Sequence, residues 1–138
     1  MPKPPTLDFM VDVHDRVPRA IPRPLTVRER EALVALVERG TPPDGAAVTA
    51  EDRRRWLDQV PSVRAGARCR CGTCPSIVLT DEAGTTPDGG DRVVLEASAA
   101  GALLLLFVDD DRFSYLELAP LDDDASFAEF PAASTFTS

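Results

Sequence analysis

Apolar and polar positions repeat with two different periods along the chain, helical in its first half and strand-like beyond it. From Thr26 the apolar residues Val27, Leu33, Val34, Leu36 and Val37 fall largely on one side of a 3.6-residue repeat, which predicts an amphipathic helix. Thr26 and Glu29 stand at capping-box spacing at its start, and Gly40 followed by Pro42 and Pro43 stops it. A second helix is predicted over residues 50–60. Thr49 caps it, Asp52 takes the third position, Trp56, Leu57 and Val60 share a face, and Pro61 ends it. Beyond Val63 the texture changes to short apolar runs between turn residues, predicting strands over 63–70, 76–80, 92–98, 102–108 and 113–118. No helical pattern separates them, so the strands should pair antiparallel through hairpins. The predicted class is α+β, with two helices from the N-terminal half packed on one face of an antiparallel meander of about five strands.

The first residues follow a different rule. Six of the 13 prolines lie in residues 1–25, yet Leu7, Phe9, Val11 and Val13 alternate with Asp8, Met10, Asp12 and His14. That period of two reads as a short extra strand, either at the sheet edge or as an arm exchanged with a second copy in a homodimer, with 17–24 as an extended connector. The chain thus divides into a Pro-rich arm at 1–24, a single domain at 25–121, and an irregular tail at 122–138 anchored by Phe127, Phe130 and Phe136. The Gly- and Pro-bearing segment 81–91 reads as a long, mobile loop.

Composition adds a constraint on partners. The net charge is −8, and it is uneven: residues 1–70 carry 13 basic and 10 acidic side chains, whereas 71–138 carry two and 13. A protein that coats nucleic acid or an anionic membrane needs a basic footprint, so both are excluded as partners. The acidic half would steer a protein with a basic surface toward it, or simply keep the chain soluble. Met1-Pro2-Lys3-Pro4-Pro5 lacks the apolar core of a secretory signal, and the apolar run at 101–108 is too short to span a bilayer. A cytoplasmic location is expected. Three cysteines packed within six positions also suit a reducing compartment better than a secreted disulfide framework.

Those cysteines are the one concentrated piece of chemistry. In Cys69-Arg70-Cys71-Gly72-Thr73-Cys74-Pro75 the C-x-C and C-x-x-C spacings let thiolates converge, and Gly72 permits the bend. Zinc is the guest this pattern suggests, with His14, a carboxylate, water or a second chain as fourth ligand. Two other uses compete: small thiols that fill a hairpin bend, and a pair that oxidises, with Arg68 and Arg70 lowering a thiol pKa. A thioredoxin-like C-x-x-C opens a helix, whereas here a strand follows Pro75. A Cys74–His14 catalytic dyad would need a fold contact that spacing does not supply.

The remaining candidates are acidic or basic runs. Asp109, Asp110 and Asp111 join two strands and Asp122, Asp123 and Asp124 close the last. Turn chemistry explains both, since the order of an EF-hand loop is missing. With Glu117 these aspartates form the candidate surface for a basic partner. Arg53, Arg54 and Arg55 lie mostly off the apolar face of the second helix. They suit pairing with Glu51, Asp58 or the acidic half better than DNA, because the inter-helix segment is too long for a helix-turn-helix.

Leu25-Thr26-x-Arg28-Glu29-Arg30-Glu31-x-Leu33, the Cys69 to Ser76 bend, and the run from Leu104 through Asp109 to Ser114-x-Leu116-Glu117-Leu118 resemble uncharacterised small proteins of high-GC actinobacteria. The likeness covers most of residues 25–118 and implies a bacterial cytosolic origin, with no catalytic residue transferred. The expected function is that of a non-catalytic acidic interaction protein, of the immunity, inhibitor or accessory kind, whose cysteine cluster is structural or binds zinc. A cysteine-dependent redox or thiol enzyme is the alternative.

Overall fold

The computed structural model describes residues 21–137. His14 and the alternating segment around it lie outside the described residues. The chain runs β1 (Arg23–Pro24), α1 (Val27–Arg39), α2 (Ala50–Gln59), β2 (Arg64–Arg68), β3 (Ile77–Thr80), β4 (Arg92–Ala99), β5 (Ala102–Asp109) and β6 (Arg112–Pro120). This is the predicted α+β class with both helices in place, but the sheet has six strands rather than about five. The additional strand, β1, sits in the stretch read as a connector and pairs with β2 through Arg23↔Ala65 and Pro24↔Arg64.

Both helices start as their sequences dictate. Thr26 and Glu29 form a complete capping box, as do Thr49 and Asp52. Glu29 does more than cap. It is buried and takes both Arg23 guanidinium nitrogens at 2.9 Å, so the first turn of α1 is tied to β1. Val27, assigned to the apolar face by periodicity, is 71% exposed, because at about 100° per residue it lies on the opposite side of the helix from the buried Glu29 and Leu36. Pro61 converts the end of α2 into a 3-10 turn over Val60–Ser62.

The strand order is β1-β2-β3-β6-β5-β4, antiparallel throughout. Hairpins join β4 to β5 and β5 to β6 as expected, but β3 pairs with β6 instead of β4. The segment 81–91 carries the chain across to the far edge, and its length allows this where a two-residue turn would force adjacency. Asp81 orders the start of that segment, its Oδ1 accepting from the N–H groups of Ala83 and Thr85. The exposed edge of β4 is blunted by two bridges, Thr41↔Glu96 and Ser98↔Thr137, which limits strand addition there.

The core lies between α1 and one face of the sheet. Leu33, Leu36 and Val37 of α1 pack with Leu79, Leu95, Leu104, Leu106 and Leu116, all fully buried. Trp56 is the buried residue of α2. At the β5–β6 turn Asp110 and Asp111 both have positive φ, 53° and 65°, as a two-residue hairpin loop of this hand requires. No helix among the described residues is long and apolar enough to cross a membrane.

Candidate metal centre

The thiol loop closes the β2–β3 hairpin. At its base the Cys69 N–H donates to the Ser76 carbonyl at 2.8 Å, and Gly72 at its tip has φ +79°, a conformation that a side chain would strain. The chain's far end holds it from outside, since the Phe127 N–H donates to the Thr73 carbonyl at 2.9 Å. Within this frame the sulfurs of Cys69, Cys71 and Cys74 all lie within 4.8 Å of one another, and Cys71 and Cys74 are 3.2 Å apart.

Each sulfur has a distinct environment. Cys71 is exposed and accepts from the Thr73 hydroxyl at 3.3 Å and the Thr73 N–H at 3.4 Å; these donors first, and then the Cys69 and Cys74 thiols, pull its pKa down to about 6. Cys69 moves the other way. The backbone N–H of Cys71 acts to lower it, but the neighbouring Cys71 and Cys74 thiols outweigh that and raise it. The Cys74 thiol donates to Ser76 Oγ at 3.2 Å, and that buried hydroxyl accepts from the Leu118 N–H at 2.9 Å, linking the loop to β6. Burial raises the phenol of Tyr115, and the nearby Cys69, Glu117 and Cys74 charges add to it.

Three thiolates at these separations fit a soft divalent ion. Zinc–sulfur bonds of about 2.3 Å in a tetrahedral site place sulfurs roughly 3.8 Å apart, and 3.2 to 4.8 Å brackets that value. The group could therefore hold a metal ion. Among the described residues no imidazole or carboxylate joins the three cysteines within that range.

The sequence placed the loop correctly between two strands but misassigned what tunes it: Thr73 acidifies Cys71, rather than Arg68 or Arg70. Thr73 was legible inside the motif, two residues from the sulfur it serves. Ser76 is equally local, two residues from Cys74, whereas Tyr115 reaches the site through the register of β3 on β6, which spacing does not reveal. In metal-free protein, the iodoacetamide reaction of Cys71 is expected to rise with pH to half its limit near pH 6. Thr73→Val should move that midpoint toward the ordinary thiol range near 8.5; an unchanged midpoint would refute the assignment.

The acidic candidates do not converge. Asp109 is buried against Arg92 at 2.7 and 2.9 Å and accepts from Ser114 at 2.8 Å. Asp111 is held by Arg55 at 2.7 and 2.8 Å and by the Trp56 indole N–H at 2.8 Å. Asp110 is exposed at the turn apex. Glu117 is half-buried beside Tyr115 at the other end of β6, near the thiols, followed by the exposed Asp122, Asp123 and Asp124. Arg55, Arg64 and Arg28 pair with Asp111, Glu82 and Glu129, so part of the charge asymmetry is neutralised within the domain.

No protein-family model, no curated protein and no solved structure matches the chain.

Proposed function

We propose that this chain is a non-catalytic binding module, cytoplasmic and of actinobacterial origin, whose thiol loop holds one zinc ion and which engages a protein with a basic surface. The observation that carries this reading is the convergence of three thiols within 4.8 Å on a loop braced at both its base and its tip. Cys69, Cys71 and Cys74 are the ligands, and His14 is the single imidazole the chain itself can offer as a fourth. Bound zinc would staple β2 to β3 and hold the loop against β6 through Ser76.

Native mass spectrometry of full-length protein, purified without chelator or added zinc, is expected to show one zinc per chain, absent from Cys74→Ser. Metal-free protein would sink the proposal. The 3.2 Å separation of Cys71 and Cys74 favours one second reading, an oxidisable thiol pair. Thiol titration of the same preparation separates the two, because bound zinc keeps all three thiols reduced and slow to react.

A further inference from the structure

An antiparallel sheet with one face in water normally alternates apolar and polar residues along each strand. β5 does not. Its inward residues Leu104, Leu106 and Val108 are buried in the core, but its outward ones, Leu103, Leu105 and Phe107, are apolar too. The register extends this surface across four strands, since Phe107 lies opposite Val94 on one side and Tyr115 on the other, and Tyr115 lies opposite Val78. All four are only half-buried, and the Phe107 and Tyr115 rings sit 6.0 Å apart. The helices cover the opposite face, so this sheet is built to be covered on both sides.

The charges around the apolar row indicate what covers it. One step along the strands, Leu105 lies opposite Glu96 on β4 and Glu117 on β6, so a leucine stands between two outward carboxylates. With strands about 4.8 Å apart those carboxylates stand roughly 10 Å from each other. Neither forms an ion pair with a described residue. At the far end of the row, Arg92 lies 4.8 Å above the Phe107 ring, but Asp109 already neutralises it. The face is therefore apolar with net negative charge. A second copy laid on it would set glutamates toward glutamates on chains of net charge −8, which disfavours self-association.

We propose that the helix-free face of the sheet docks an amphipathic basic segment of a partner protein, its apolar side chains on Leu105, Phe107 and Tyr115 and its cations at Glu96 and Glu117. This rests on the reading of the chain as a binding module and gives that module a surface. The thiol loop leads directly into β3, whose Val78 lies opposite Tyr115 on the same face.

The test uses the full-length chain and two soluble probes, an amphipathic leucine–lysine peptide and its leucine–glutamate counterpart, followed by amide chemical shifts. The leucine–lysine peptide is expected to bind, with shifts confined to β3, β4, β5 and β6, and the leucine–glutamate peptide to fail. The double variant Glu96→Lys/Glu117→Lys should weaken binding about tenfold or more, and Leu105→Ser should do likewise. If Leu105→Ser does not fold, the charge variant alone decides. Absence of binding overturns the proposal, as do shifts centred on the aspartate triplets or affinity untouched by the double variant. Sedimentation that finds a dimer dissolved by Leu105→Ser would assign the face to a second copy and overturn it as well. Zinc content is read separately: zinc without peptide binding removes the docking face alone, and peptide binding without zinc removes the metal centre alone.

Discussion

Phe130→Ala is expected to destabilise the protein by about 3–5 kcal/mol, the range for emptying a buried aromatic site. A domain of this kind holds about 5–15 kcal/mol in total, so the variant would lose a large share of its stability. Phe130 belongs to the stretch that composition marks as an irregular tail, yet it is 1% exposed and packed in the main cluster with Leu33, Leu36 and Leu118. Arg28 of α1 clamps its carbonyl at 2.9 Å, so the backbone is held at the same point as the ring. Phe136, also buried, lies beside Ser98↔Thr137, where the chain end pairs with the edge of β4. Phe127 is only partly buried, so Phe127→Ala should cost clearly less than Phe130→Ala. Urea unfolding of both variants measures this. A loss below about 1 kcal/mol for Phe130→Ala would show that the tail merely rests on the domain.

What could be read beforehand follows the range of the interactions involved. Both capping boxes and the stop at Gly40 are local, and the helices appear where those signals put them. The later strands were legible because alternation and turn residues act over a few positions. Their order was not, since nothing in residues 81–91 says whether the chain returns beside β3 or crosses to the far edge. β1 is two residues long, one of them proline, and carries no periodic signal at all. The candidate site divides the same way. The convergence of Cys69, Cys71 and Cys74 was legible because one short loop contains them all, whereas Tyr115 enters through pairing of β6 with β3. The apolar run in β5 was visible, and only the finding that helices cover one face shows that its alternate side chains form a second, half-buried apolar face.

Asp111 shows the limit of local reading most clearly, and Asp111→Ala is expected to cost about 2–6 kcal/mol. Turn chemistry explains why an aspartate is tolerated at φ 65°, but not what its carboxylate does. It receives the Trp56 indole N–H at 2.8 Å, and Trp56 is 2% exposed, so the alanine variant leaves a buried donor unpaired at about 1–3 kcal/mol. Placing alanine in the left-handed region adds roughly 1–2 kcal/mol. The Arg55 pair, close to half exposed on both sides, contributes at most about 1 kcal/mol. Three variants separate these causes. Asp111→Asn keeps an acceptor for the indole and tolerates positive φ, so it should retain most of the stability; Asp111→Gly relieves the backbone but still orphans the indole. Because Trp56 is the single tryptophan of the chain, its emission should shift to the red in Asp111→Ala and Asp111→Gly and stay close to native in Asp111→Asn. The acid limb supplies a further check. Arg55 first, and then Trp56, hold the Asp111 carboxyl below its ordinary range, so its contribution is complete above that range and is lost as pH falls through the lowered folded value. Asp111→Asn should therefore lose stability less steeply on acidification than the wild type. If it is instead as unstable as Asp111→Ala near neutral pH, α2 is held to the sheet by the charge on Asp111 and not by its bond to the indole.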